Sequence, residues 1–384
     1  MVELKTQTNE GQKTGREREE ERDLLSELPD NVLLHIIHFM NTDAAVRTSF
    51  LSKRWNNLWK CLTTLSFRRR HFKKLVNYNQ FVYHVVSHRD TTIRLHSLDL
   101  NACISAKELL NLFIPVLHSV PNLRISVGHL STKFAYYSIP IVFSSPSLTS
   151  LTLVVSNRII LKLPQSLELP TLKTLSLTNV FFTARDSDEC AEPFSSCFLL
   201  NSLDLLGCSL SNPAKVLSIS NPNLSRFTMK RSFQVKYKIV LSTPNLTHLA
   251  IRSRLTFHEV SSTCDLALLE EANIEITMGA SHAIVLKFLK MLSYAKILIL
   301  SEFFLAAILK GVLEDDLFQP PHFDRLQTLK VENLQETEVL MKFDFGYNAK
   351  NNCTEKINAR YRWPKVVANA IQFRLALPRD FALR

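Results

Sequence analysis

Chemically capable side chains are present in this chain, but their spacing assembles no recognisable reaction centre. His35 and His38 stand three residues apart, which puts two imidazoles on one helix face. A metal there would need a third ligand, and the neighbouring sequence offers none. Asp186, Asp188, Glu189 and Glu192 surround Cys190. No base or nucleophile is spaced to act with them, so a surface loop accounts for the cluster. Seven cysteines, an odd number, are scattered without a CxxC pair or a Cys/His metal spacing. They read as reduced thiols packed as small hydrophobes. With seven glycines in all, the chain has no GxGxxG or GxxxxGK[ST] loop to cradle phosphates and no GxSxG elbow to expose a serine. The expectation is a protein with no catalytic residues, no metal and no cofactor.

The net charge is +11. It concentrates at Arg68-Arg69-Arg70-His71-Phe72-Lys73-Lys74 and in residues 341–384, which hold nine Lys/Arg against three acids. Such blocks bind nucleic acid, serve in nuclear import, or simply solvate a surface. Residues 1–23 are polar, without the apolar stretch of a secretory signal. The longest apolar run, residues 297–309, is broken by Ser301 and Glu302 and too short to span a bilayer. The expected location is the nucleus, the cytoplasm or both, away from membranes.

The elements that would position any site divide the 384 residues into parts. Residues 1–23 alternate charges and read as a disordered leader. Residues 24–66 read as three short helices. Pro29 stands where a first helix can begin, followed by Val32, Leu33, Ile36, Ile37 and Met40 at helical spacing. Asn41-Thr42-Asp43 offers a fresh N-cap, and Ser52 can cap a third helix carrying Trp55, Leu58 and Trp59. Residues 67–92 read as a basic linker or helix. From residue 93 to about 335 the chain repeats L-x-x-L-x-L. The series runs from Leu95…Leu98-Asp99-Leu100 to Leu326…Leu329-Lys330-Val331, in steps of 22 to 31 residues. Each L-x-L puts two apolar side chains on one face of a short strand. One repeat cannot bury that face, whereas stacked repeats share a continuous core. Pro121, Pro146, Pro222 and Pro244 are placed to fix the turns into their strands. Residues 336–384 read as a basic tail without the repeat.

The helical segment carries a resemblance. Leu28-Pro29-Asp30-Asn31-Val32-Leu33-Leu34-His35-Ile36-Ile37, then Ala45-Val46-Arg47-Thr48-Ser49-Phe50-Leu51-Ser52-Lys53-Arg54-Trp55, with Leu58-Trp59 behind, looks like a plant-type F-box. Together with the repeats, the chain resembles the plant F-box/leucine-rich-repeat family, including its FBD subgroup. Residues 323–333 look like the start of an FBD segment whose continuation is missing, so the C-terminus reads as divergent or truncated. The resemblance implies a short three-helix F-box followed by a curved leucine-rich-repeat solenoid with a parallel sheet, an α+β or α/β solenoid by class. It further implies docking on a Skp-type adaptor, through it on a cullin, and capture of a protein substrate for ubiquitin transfer.

Leu28, Pro29, Leu33, Ile36, Ile37, Val46, Leu51 and Trp55 form the candidate adaptor-binding set, because a helix-in-groove contact needs apolar anchors at i, i+3 and i+4. Trp55 is the expected main anchor. The residues between the paired leucines point outward and line one strand face, the usual binding surface of a solenoid. Among them Arg124, Asp204 and Lys330 are candidate substrate-binding residues. Lys230 and Arg252, one residue beyond their core pairs and near the rim of the same sheet, join them. The rivals are a repeat scaffold that binds a partner without ubiquitin transfer and, behind it, a basic nucleic-acid-binding protein.

Overall fold

The computed structural model describes residues 27–103, 119–128, 135–137, 140–184, 189–230, 237–253, 259–276, 281–301, 303–305, 307–308 and 321–332, with residues 25, 382 and 383. The charged leader, residues 185–188 and nearly all of the basic tail lie outside the described residues, as do the readings of the leader and the tail and the Asp186 and Asp188 part of the acidic cluster, while Glu189, Cys190 and Glu192 are described. The chain divides into two compact units, one ending at Leu62 and the other beginning at Thr63.

The first unit is helical. Pro29 closes its own φ and leaves its carbonyl to accept the amides of Val32 and Leu33, at 3.0 and 3.1 Å. Helix α1 then runs Asp30–His38. Helix α2, Thr42–Arg47, starts after Asn41, whose side chain makes no capping bond. It tightens into a 3₁₀ turn at Thr48–Phe50. The hydroxyls of Thr48 and Ser49 bond back to the carbonyls of Ala45 and Val46, at 2.7 and 2.6 Å, which weakens the helix there. The third helix is a 3₁₀ helix, Trp55–Cys61. Ser52 does not cap it: its carbonyl accepts the amide of Trp55, while its hydroxyl is buried without a partner. The threefold winding stacks Trp55 and Leu58 on one side. They meet Leu33, Ile37, Ala45, Trp59 and Leu62 in a small buried core.

The second unit is a parallel solenoid. Twelve strands form one sheet, and every neighbouring pair is parallel. Ten follow the leucine template, from Ser97–Cys103 to Thr328–Glu332. The sheet begins one strand earlier, at Thr64–Phe67, which pairs with Ser97–Leu100. Helix α3, Leu75–His88, connects these two strands. It buries Tyr78, Val82, Val85 and Val86. A last short strand, Ala382–Leu383, pairs with Thr328 and Leu329.

The paired template residues face inward as their period demands. From Leu98 to Leu300, and again at Leu329, none of them is more than 3 % exposed. Behind them stand two smaller parallel sheets of four strands each, which supply Leu161, Phe182, Leu217, Ile219, Ile239 and Leu241 to the same core. Asn179 and Gly207 turn the chain from the main sheet toward this second layer with φ of 57° and 63°, the left-handed region that Asn and Gly tolerate. The turns into the strands are linked from one repeat to the next by side-chain amides. Asn122 donates to the His96 carbonyl, Asn223 to that of Phe198 and Asn245 to that of Pro222.

Candidate protein-docking surfaces

The helical unit splits the candidate adaptor set into three groups. Leu33, Ile37 and Trp55 are buried in its own core. Leu28, Ile36 and Val46 are half-buried, and Pro29 and Leu51 are exposed. A main anchor at Trp55 needs that ring free, but the structure holds it at 3 % exposure among the helices. The free apolar surface belongs mostly to residues that helical periodicity does not single out. Phe50 is 87 % exposed, Phe39 78 % and Leu51 65 %, with Val32 and Met40 more shielded. Phe50 and Leu51 sit where α2 has tightened into the 3₁₀ turn, which rotates them out of an α-helical stripe. His35 is exposed and packs edge-on to the Phe39 ring, with centroids 4.9 Å apart. Exposed apolar side chains of this kind on so small a unit make it a candidate docking surface.

On the solenoid, the row between the paired leucines is in register throughout. Ser66, Asp99, Arg124, Thr152, Ser176, Asp204, Thr228, Ala250, Asn273, Ile299 and Lys330 follow one another across the sheet. Arg124 and Lys330 are exposed and Asp204 is half-buried. The row is not open along its whole length, because Asn273 and Ile299 are buried. Lys230 and Arg252 pair with each other two residues past Thr228 and Ala250, so alternation puts them on this same outward face. The candidate substrate residues thus share a face without sharing a spot. Eight strand spacings separate Arg124 from Lys330, roughly 40 Å at about 4.8 Å each.

The basic run 68–74 is partly absorbed by the fold. Arg68 donates to Asp99 at 3.2 Å, and Arg69 donates to the Phe72 carbonyl. Lys73 and Lys74 are exposed. Burial pushes the Cys197 thiol up to about 11 and the Cys208 thiol up to about 12, so both are protonated packing groups. Among the described residues no three His, Cys, Asp or Glu side chains gather into a metal-binding group. Nor is any described helix long and apolar enough to cross a membrane.

Residues 25–65 match the F-box domain family. Over most of its length the chain is similar to curated proteins of Arabidopsis thaliana. It is 28 % identical over 278 residues to an F-box/FBD/LRR-repeat protein, covering 71 % of this chain and 63 % of the relative. It is 26 % identical over 245 residues to an F-box/LRR-repeat protein, covering 60 % and 64 %. A further F-box/FBD/LRR-repeat protein is 29 % identical over 245 residues, covering 61 % and 51 %. The chain therefore spans between half and two thirds of the length of these relatives. Its described architecture is that of an F-box followed by a leucine-rich-repeat solenoid.

Proposed function

We propose that this protein is the substrate-recognition subunit of a Skp-cullin-F-box ubiquitin ligase. The F-box docks on a Skp-type adaptor, the adaptor joins a cullin, and the solenoid holds a protein substrate. The observation that carries the reading is the uncovered apolar surface at Phe39, Phe50 and Leu51, on a segment that matches the F-box family and is joined to a repeat sheet. The chain contributes no catalytic group. It raises the effective concentration of substrate near the transferring enzyme, which is a positional contribution. The basic run and the protonated thiols suit the nucleus or the cytoplasm.

Purification of the tagged full chain under conditions that block degradation of its cargo tests this. Recovery of a Skp-type adaptor and a cullin in stoichiometric amounts supports it. Recovery of partners without either one favours the interaction-scaffold reading.

A further inference from the structure

The outward face of the main sheet is not chemically uniform. Across three adjacent strands it presents Ser150, Thr152 and Val154, then Thr174, Ser176 and Thr178, then Ser202, Asp204 and Leu206. Asp204 is the single ionisable group in that block. The next two strands differ. Arg226 stands in register with His248, and Lys230 with Arg252, with only Thr228 and Ala250 between them. At about 4.8 Å between strands and about 3.3 Å per residue, four basic side chains mark a rectangle of roughly 5 by 13 Å over a low floor.

Arg226 and Lys230 are exposed, and neither is paired with an acid among the described residues. Arg252 is half-buried and faces Glu275 at 3.9 Å. The Nδ1 of His248 shares a hydrogen bond with the Thr247 hydroxyl at 2.9 Å. Carboxylates border the rectangle on both sides. Asp204 is opposite Thr228, and Glu271 and Glu275 are opposite His248 and Arg252.

We propose that this rectangle binds a short acidic peptide segment lying along the strands. Its carboxylates, about four residues apart in an extended chain, meet Arg226 and His248 at one end and Lys230 and Arg252 at the other. This rests on the reading that the solenoid captures a protein substrate, and it names the class of segment recognised. Arg226 and Lys230, two exposed cations four residues apart on one strand and without an acidic partner among the described residues, favour an anion of matching spacing. The bordering carboxylates limit the site to two strands. A nucleic acid backbone, whose charge continues in both directions, would run onto Asp204 or onto Glu271 and Glu275.

The test is direct binding to the full chain, followed by fluorescence anisotropy. The probes are a labelled eight-residue Glu/Asp peptide, its Gln/Asn counterpart and a single-stranded oligonucleotide of equal charge. The Glu/Asp peptide is expected to bind most tightly and the Gln/Asn peptide not to bind. Arg226→Gln with Lys230→Gln should weaken Glu/Asp binding at least about tenfold. The charge-matched control Lys173→Gln with Lys238→Gln, which alters other parts of the surface, should stay within about twofold. Melting curves confirm that the variants fold, and Lys230→Gln alone serves if the double variant does not. Equal weakening by test and control variants, no binding of the acidic peptide, or tighter binding of the oligonucleotide overturns the site. Adaptor co-purification is scored separately. Its loss with peptide binding intact overturns the ligase reading and leaves this site standing.

Discussion

The Asp30 carboxylate and the Arg54 guanidinium are joined although 24 residues separate them: Nε and one terminal nitrogen of Arg54 both lie 2.8 Å from the same oxygen of Asp30. Asp30 opens α1, where a negative charge also suits the helix dipole, and Arg54 stands just before the third helix. The Leu28-Pro29-Asp30 and Leu51-Ser52-Lys53-Arg54-Trp55 strings, read separately in the sequence, are thus two ends of one contact.

The pair is largely exposed, so its expected worth is modest despite good geometry. Arg54→Ala should lower the stability of the helical unit by about 0.5–1 kcal/mol, read by denaturant unfolding followed through tryptophan fluorescence. A loss of several kcal/mol would mean that Arg54 does something beyond holding Asp30.

Burial separates the residues that hold the F-box from those free to dock. Phe50→Ala with Leu51→Ala should weaken adaptor binding at least about tenfold and shift unfolding by no more than about 0.5 kcal/mol. Trp55→Ala should cost about 3–5 kcal/mol and lose docking through unfolding. Near wild-type adaptor pull-down by the Phe50 and Leu51 variant would move the docking surface elsewhere.

The main sheet was legible because L-x-L alternation is a strong period-two signal, and all ten template strands lie in it. Thr64–Phe67 escaped because Leu62, Leu65 and Phe67 repeat the template with Phe in the last place, directly behind the helical Trp55, Leu58 and Trp59. A truncation meant to remove the helical unit therefore has to stop at Leu62, since a cut after residue 66 removes most of the first strand. The second layer was not legible. Its strands, such as Val180–Phe182 and Ser209–Leu210, are two to five residues long and follow the main strands after turns of varying length. The face of Lys230 and Arg252 was decidable only once the register put them two residues past Thr228 and Ala250. Exposure of Phe50 depends on the 3₁₀ turn, which no periodicity announces.

Asn221 is 2 % exposed and serves two turns at once. Its amide nitrogen donates to the Cys197 carbonyl at 2.7 Å, and its side-chain oxygen accepts the Asn223 amide at 2.9 Å. Asn221→Leu removes one of two hydrogen bonds at the Cys197 carbonyl, which keeps the Leu200 amide at 3.0 Å, and strips the partly buried Asn223 amide of its Asn221 acceptor, at about 1–3 kcal/mol. A drop of about 1–3 kcal/mol in solenoid stability is expected. A change under about 0.5 kcal/mol would show that water replaces both bonds.

The thiols should divide by burial. At pH 8 iodoacetamide should modify Cys61, Cys190 and Cys264, which are half-buried, well before Cys197 and Cys208. Mass spectrometry of the native chain reads the order. The raised values also predict a direction with pH. The unfolded thiols ionise near 9.0 while the folded ones stay protonated to about 11 and about 12. The unfolded chain then holds fewer protons, so their contribution to stability is complete below pH 9 and is lost as pH rises through 11 to 12. Early modification of Cys208 in the folded chain would contradict its burial.

Charge reversal locates a substrate along the sheet. Arg124 and Lys330 are exposed on the same face but roughly 40 Å apart, too far for one short segment to meet both. Reversal at such exposed sites should change stability by only a few tenths of a kcal/mol. Where the charge meets a partner, capture should weaken by about 1 kcal/mol or more. If the substrate occupies the basic rectangle, Arg226→Glu with Lys230→Glu should abolish capture. Arg124→Glu and Lys330→Glu, each alone, should leave it within about twofold. Asp204→Lys, beside the rectangle, should strengthen capture by extending the cationic strip. Capture that instead falls with Arg124→Glu and is indifferent to Arg226 and Lys230 would place the substrate over the first strands of the sheet, next to the Arg68–Asp99 pair.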